Sequence, residues 1–163
     1  MESVVTARFD AGEEVRVIRT VRNDGSFPGV DKGEILIEAG CIGIVRTYGF
    51  FLQTQIIYQV FFPDVNQVIG IRDEELISAR LDWVPRHFHS LDKARLTRTL
   101  AMNGEVLAEK GQIVEIQRSY RDLEDGSLKY EIELCALRFQ LDASVFTHVS
   151  QAQEQTVLQE QQV

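Results

Sequence analysis

The chain has 163 residues, of which 44% are hydrophobic and 26% are charged, with a formal net charge of −8 and an isoelectric point near 4.9. This composition is typical of a globular protein, and the acidic balance argues against a protein whose main task is to bind nucleic-acid phosphates. The sequence begins without a signal-like segment and contains no apolar run near the roughly 20 residues of a membrane span. We therefore expect a cytoplasmic protein that binds neither nucleic acid nor membrane.

Two long stretches of the chain resemble each other. They run from Phe9 to Ile77 and from Phe88 to Phe146. The segment EVRVIRTV from Glu14 matches KARLTRTL from Lys93, and GEILIEAG from Gly33 matches GEVLAEKG from Gly104. A repeat of about 70 to 80 residues suits a small domain rather than a solenoid unit. The repeat predicts a first domain at 9–78, a connector at 79–89, a second domain at 90–149 and a flexible glutamine-rich tail at 150–163.

Short apolar runs separated by Gly, Asn and Asp predict a mostly β fold. The strands predicted in the first stretch are Val15–Arg19, Ile35–Ile37, Ile42–Tyr48, Gln55–Phe62 and Val68–Arg72. A short helical turn is predicted at Asp73–Ile77, with Asp73 as its N-cap and with Asp142 as its counterpart in the second stretch. A strand, a long loop, a three-stranded meander and a helical turn follow one another in SH3-like barrels. The predicted fold class is therefore a tandem duplication of two small SH3-like barrels.

The second stretch repeats this order of elements. Its predicted strands are Ala94–Thr99, Val106–Ala108, Ile113–Tyr120, Leu128–Leu134 and Leu137–Leu141. We expect the connector between the barrels to be ordered, because Trp83, Val84 and Phe88 are apolar side chains that a free linker rarely carries.

The sequence offers no catalytic or metal-binding motif. It contains no P-loop, no GxSxG, no HExxH and no CxxC. Cys41 and Cys135 are expected to be buried, reduced thiols, and His87 and His89 lack an evident third metal ligand. We therefore predict no catalytic residue, no cofactor and no metal site, and we expect that the protein is not an enzyme.

Two segments are candidates for binding a partner protein. The loop from Arg22 to Gly29 carries an arginine, an aromatic residue and a proline, although turn formation alone would also require its Gly, Asn, Asp and Pro. At Phe50-Phe51-Leu52, successive apolar residues at a hairpin cannot all point inward, so at least one aromatic ring is expected to be exposed. It would either form a partner-binding patch with Phe27 or pack against the second barrel. The candidate residues are Arg22, Asn23, Asp24, Phe27, Pro28, Phe50, Phe51 and Gln53.

The recurring arginines have a different expected use. Arg16 and Arg19 recur as Arg95 and Arg98. Recurrence in both stretches favours a structural role, such as pairing with Glu34 or Glu105 and capping loop carbonyls.

Three dense motifs stand out in the first stretch: RTVRNDGSFPG from Arg19, GFFLQTQIIYQV from Gly49 and IGIRDEEL from Ile69, with Trp83-Val84-Pro85 behind them. On these residues the first stretch resembles the NifZ family of nitrogen-fixation accessory proteins. Ile71 and Phe61 depart from the family pattern, where cysteine and histidine are common, so neither position can supply a metal ligand here.

The resemblance implies a role in maturing the molybdenum-iron (MoFe) protein of nitrogenase, in particular in assembling its P-clusters. The implied partners are the immature MoFe protein and other nitrogen-fixation assembly proteins. The alternative is an SH3-like tandem adaptor that mediates protein–protein interaction without sensing the state of the cluster. A third class, nucleic-acid binding, would need a basic stripe on an otherwise acidic protein.

Overall fold

A computed structural model of the protein describes residues 6–149, and the tail predicted at 150–163 lies outside them. The regular structure of these residues consists of strands and two single turns of 3₁₀ helix, which confirms the mostly β fold. The chain forms two compact units. Among the described residues, the first unit comprises 6–83 with Leu123–Gly126, and the second comprises Val84–Asp122 with 127–149. Neither 3₁₀ turn is long or apolar enough to cross a membrane, and the same holds for any helical segment of residues 6–149.

The first unit contains seven strands. They are β1 (Glu14–Val17), β2 (Val21–Arg22), β3 (Ile35–Ile37), β4 (Ile42–Phe51), β5 (Gln55–Phe62), β6 (Gln67–Arg72) and β7 (Leu76–Ser78). Five of them form one antiparallel sheet in the order β6-β5-β4-β1-β7, while β2 and β3 pair separately. Alternate residues of β5 are buried, as expected for a strand with one face on a core. Among the described residues no sheet closes on itself, so a closed barrel is not observed.

The second unit contains eight strands. They are β8 (Lys93–Leu96), β9 (Leu100–Met102), β10 (Glu105–Ala108), β11 (Ile113–Glu115), β12 (Arg118–Arg121), β13 (Leu128–Leu134), β14 (Leu137–Asp142) and β15 (Phe146–Thr147). They form two three-stranded sheets, β11-β8-β15 and β12-β13-β14, and a two-stranded pair of β9 with β10. Each unit has its own cluster of buried apolar side chains.

The predicted strand Ile113–Tyr120 is wrong in one respect, because it is interrupted between β11 and β12. The two intervening residues bond to different neighbours: the amide of Ile116 donates to Asp92 O, and the amide of Gln117 donates to Glu131 O, both at 2.8 Å. The chain therefore leaves one sheet and joins the other at this point, which periodicity alone cannot reveal.

The predicted helical turn Asp73–Ile77 is shorter than expected. The 3₁₀ turn covers Asp73–Glu75, and the following residues form β7 because Leu76 pairs with Val17. Asp73 is not its N-cap: that position is Arg72, which makes no side-chain cap hydrogen bond. In the second unit the turn is Ala143–Val145, and there Asp142 does cap it, accepting from the Ser144 amide.

The carboxylate of Asp73 instead joins a network with Arg8 and Tyr58. Arg8 Nε donates to Asp73 Oδ1 at 3.1 Å, and Nη2 donates to the backbone oxygens of Asp73 and Leu76 at 2.5 and 2.8 Å. The Tyr58 hydroxyl donates to Asp73 Oδ1 at 3.0 Å and accepts from the Arg8 amide at 2.9 Å. Burial of the ring raises the pKa of the Tyr58 phenol. This network ties the start of the described chain to the core strand β5.

The second unit has an equivalent buried tyrosine, Tyr130, whose hydroxyl also bonds to the backbone of the segment before the first strand. The Tyr130 hydroxyl accepts from the His87 amide at 3.0 Å and from the Phe88 amide at 3.4 Å. In both units the next aromatic residue packs edge-on against the tyrosine: Phe9 lies 5.6 Å from Tyr58, and Phe88 lies 5.4 Å from Tyr130, between ring centroids.

Two of the four recurring arginines, Arg16 and Arg95, cap loop carbonyls as expected, whereas no ion pair among the described residues joins a recurring arginine to Glu34 or Glu105. Arg16 Nη1 donates to Gly40 O at 2.7 Å, and Arg95 Nη1 donates to Gly111 O at 2.5 Å. Trp83 of the connector lies over this corner in the first unit, with Arg16 Cζ 5.5 Å from the ring centroid. Gly40 has φ of 93°, which favours glycine, and a Cβ there would lie only 3.0 Å from Trp83 Nε1, so the ring also leaves little space for a side chain.

The two-residue turn between β13 and β14 provides a test of backbone strain. Cys135 and Ala136 have φ values of 52° and 63°, in the left-handed region that costs L-residues about 1–2 kcal/mol each. We expect Ala136→Gly to raise the free energy of unfolding in urea by about 0.5–1 kcal/mol, after the entropic cost of glycine. Ala101→Gly, in strand β9, should lower it; a loss of stability in both variants would contradict this account.

The Arg8–Asp73–Tyr58 network provides a second test. Tyr58→Phe removes an acceptor from the Arg8 amide and a donor from Asp73, so we expect a loss of about 2–3 kcal/mol in the free energy of unfolding. Tyr130→Phe is the matched control, because its hydroxyl has amide partners but no carboxylate, and it should cost about 1 kcal/mol less. Equal losses in urea denaturation would show that Asp73 contributes nothing through Tyr58.

Candidate protein-binding surface

The hairpin of β4 and β5 carries the most exposed apolar residues of the first unit. Phe50 pairs with the buried Ile56, Phe51 pairs with Gln55, and the turn between them begins at Leu52. Phe50, Phe51 and Leu52 are 58%, 53% and 75% exposed. Both aromatic rings, those of Phe50 and Phe51, are therefore exposed, which confirms the expectation of at least one exposed ring. We call Phe50, Phe51 and Leu52 the hairpin tip.

A row of aromatic rings leads from the core to the hairpin tip. Tyr58 is fully buried, Tyr48 lies opposite it on β4, and Phe50 follows two residues later on the same face. The ring centroids are 5.8 Å apart for Tyr48 and Tyr58, and 6.2 Å apart for Tyr48 and Phe50. The exposed Phe50 is therefore held on a rigid support rather than on a free loop.

Sequence reasoning missed Tyr48 as part of this surface. Its side chain is 40% exposed and bridges the core to Phe50. The signal was available, because residues two apart on a strand share one face. The turn also places Gln53 in the left-handed region, with φ of 64°, beside Leu52 with φ of 52°.

The second group of predicted site residues lies in the loop between β2 and β3. Asn23 is buried and organises this loop with its side chain. Its Nδ2 donates to Phe27 O at 3.1 Å and to Val30 O at 2.8 Å, while its Oδ1 accepts from the amides of Gly25 and Phe27. Asn23 therefore acts in the structure as the centre of a turn, and its amide is not presented to a partner.

The other residues of this loop differ in exposure. Asp24 is exposed, and hydrogen bonds from the hydroxyl and amide of Ser26 lower the pKa of its carboxyl. Phe27 packs partly buried against the core of the first unit, so its ring is less available than Phe50. Arg22 and Pro28 are exposed, and Arg22 Nη1 donates to Gly33 O at 2.9 Å. The predicted site residues thus fall into two groups, one on this loop and one at the hairpin.

Thiols and imidazoles do not gather into a metal centre in the part of the chain that the structure describes. Among residues 6–149 no three His, Cys, Asp or Glu side chains are placed to hold an ion. His87 packs against His148, with ring centroids 5.4 Å apart, whereas His89 Nδ1 lies 3.6 Å from Asp92 Oδ2.

The fold and this surface define a β-rich protein that presents a supported aromatic hairpin, a feature typical of protein-interaction surfaces. Comparison with known proteins gives the family. The NifZ domain model matches residues 6–78. Protein NifZ of Azotobacter chroococcum mcd 1 is 42% identical over 125 residues, 77% of this chain and 79% of the relative. Protein NifZ of Klebsiella pneumoniae is 34% identical over 148 residues, 90% of this chain and 98% of the relative.

The chain therefore belongs to the NifZ family of nitrogen-fixation accessory proteins, which is not a known enzyme family. No solved structure matches the chain significantly.

The two cysteines are expected to differ in reactivity. Cys41 is half-buried, and burial first, then the nearby Asp64, raises the pKa of its thiol. Cys135 is exposed in the β13–β14 turn, so the expectation of a buried thiol is wrong at this position. Because the thiolate is the reactive form, Cys135 should react with Ellman's reagent at pH 8 at least about tenfold faster than Cys41. The variants Cys41→Ser and Cys135→Ser assign the two phases, and a faster reaction of Cys41 would contradict the prediction.

Proposed function

We propose that this chain is a non-enzymatic accessory factor that assists maturation of the nitrogenase MoFe protein by binding the immature protein during P-cluster assembly. Membership of the NifZ family supports a role in nitrogen fixation. The observation that carries the binding step is the hairpin tip, where two phenylalanines and a leucine are more than half exposed on a rigid aromatic support. Exposed and adjacent apolar side chains of this kind are typical of sites that bind a partner.

The proposed mechanism is differential binding. A factor that promotes maturation without chemistry of its own must bind the immature client more tightly than the finished client, since equal affinity shifts no equilibrium. On this proposal the chain works without a cofactor and acts in the cytoplasm. The loop with Arg22, Asp24 and Pro28 would add polar contacts around the apolar hairpin tip.

We infer that the two units are diverged copies of one SH3-like domain, with boundaries near 9–78 and 90–149. The equivalent arginine caps at Gly40 and Gly111 support this inference. So do the equivalent tyrosine anchors and the position of a 3₁₀ turn before the last strand of each unit. The alternative function, a tandem adaptor for other assembly proteins, rests on the same hairpin but needs no preference for an immature client.

A binding measurement tests the proposal and separates the two functions. Calorimetry with MoFe protein isolated with immature or with complete P-clusters should show tighter binding of the immature form. Phe50→Ala/Phe51→Ala should weaken that binding at least about tenfold, because truncation of a central aromatic side chain typically costs more than about 1 kcal/mol.

Leu137→Ala is the matched control, since Leu137 is a 48% exposed apolar residue beside a different hairpin turn. It should leave affinity unchanged. Equal binding to both forms of the MoFe protein would favour the adaptor, and absence of binding to either form would overturn the proposal. Phe27 is unsuitable for this test because it packs against the core.

A further inference from the structure

The second unit contains a cavity that the hairpin surface does not involve. Its volume is about 510 Å³, within the range of small-molecule clefts. Apolar side chains form much of its wall, among them Phe88, Leu128 and Phe146, and polar groups come from Tyr130 and His148. None of the described residues that line it is lysine or arginine.

Strand register identifies the counterpart of this region in the first unit. Tyr58 pairs with Ile71, and Tyr130 pairs with Leu141. Two residues beyond each of these partners lie Asp73 and Ala143, each the first residue of its 3₁₀ turn. The structural counterpart of Asp73 is therefore Ala143, and not Asp142 as the sequence repeat predicted.

The exchange of Asp73 for Ala143 removes an acceptor from a buried donor. The Tyr58 hydroxyl donates to the Asp73 carboxylate. The Tyr130 hydroxyl accepts from two amides, and no described residue accepts its hydrogen. Tyr130 is only 1% exposed, so a hydroxyl hydrogen without an acceptor costs free energy that a ligand could recover.

The cation of the first unit is also replaced. Arg8, whose amide binds Tyr58 and whose guanidinium binds Asp73, corresponds to His87, whose amide binds Tyr130. His87 and His148 both line the cavity, with their rings 5.4 Å apart. The second unit thus keeps a hydroxyl donor and has imidazoles near the position that holds the ion pair in the first unit.

We propose that this cavity binds a carboxylate attached to an apolar body, with the carboxylate taking the place that Asp73 has in the first unit. The Tyr130 hydroxyl donates to the carboxylate, the imidazoles of His87 and His148 lie beside it, and Phe88 and Phe146 contact the apolar body. One acidic side chain, Asp142, lines the cavity, and its Oδ1 accepts from the Ser144 amide at 2.9 Å. The site does not depend on the proposed binding of nitrogenase components.

The test uses the full chain labelled with ¹⁵N and titrated with 3-phenylpropionate. We expect shifts of the Ala143, Phe146 and His148 amides and a dissociation constant on the order of 1 mM. The neutral 3-phenylpropionamide should bind at least about tenfold more weakly, because it lacks the charge that strengthens the hydrogen bond. Equal binding of acid and amide would overturn the proposal in favour of a purely apolar cavity, and failure of the acid to bind would overturn it outright.

Two single substitutions form a matched pair. Ala143→Asp supplies the carboxylate within the chain, as Asp73 does, and should weaken binding of the acid at least about tenfold while raising thermal stability. Gln140→Glu adds the same charge at an exposed position of β14 that does not line the cavity, and should change affinity less than about threefold. An equal loss of affinity in both variants would show that any added negative charge repels the acid, and this result would overturn the proposal.

Tyr130→Phe provides a second route if Ala143→Asp does not fold. It should abolish the preference for the acid over the amide, and an unchanged preference would overturn the proposal. The tripeptide N-acetyl-Phe-Glu-Gly-amide, which carries an aromatic ring beside its side-chain carboxylate, distinguishes the source of the carboxylate. Tighter binding of this peptide than of 3-phenylpropionate assigns the site to an acidic side chain of a protein, and the reverse order assigns it to a free organic acid.

Discussion

A buried tyrosine hydroxyl is the constraint on which each unit depends. Tyr58 and Tyr130 are almost completely excluded from solvent, so their hydroxyls must find partners within the protein. Both hydroxyls accept from the backbone of the segment that precedes the first strand of their unit, at Arg8 and His87. The same bonds place Phe9 and Phe88 against the tyrosine rings, so one polar group fixes both an entry segment and part of an apolar core.

The same tyrosine links the core of the first unit to its proposed binding surface. Tyr48 packs on Tyr58, and Phe50 packs on Tyr48. An exposed ring supported in this way loses little side-chain freedom when a partner covers it, which reduces the entropic cost of association. The hairpin tip therefore exposes apolar area to water and is supported by the packed rings of Tyr48 and Tyr58. Both features suit a surface that a partner protein binds transiently.

The two units use one backbone frame for different chemistry. In the first unit the frame holds an internal ion pair, because Arg8 and Asp73 meet beside the tyrosine hydroxyl. In the second unit His87 and Ala143 occupy these positions, and a cavity adjoins the hydroxyl. A carboxylate that satisfies Arg8 and Tyr58 within the chain stabilises the first unit, whereas none of residues 6–149 accepts the hydrogen of the Tyr130 hydroxyl at the corresponding place.

The sequence by itself determined the β class, the approximate positions of most strands, the recurrence of the arginine caps and the exposure of the aromatic hairpin. These features follow from local rules: alternation of apolar residues, turn residues, and the impossibility of burying three successive side chains of a hairpin. Strands β2 and β9 escaped prediction, because strands of two or three residues show no clear period. Tertiary structure alone decided that Asp73 binds Arg8 and Tyr58 instead of capping a turn, and that Asn23 is the buried centre of its loop. It also decided that Ala143 corresponds to Asp73. A polar side chain bonds to the groups that folding brings near it, and the sequence does not show that two residues 65 positions apart, such as Arg8 and Asp73, will be in contact.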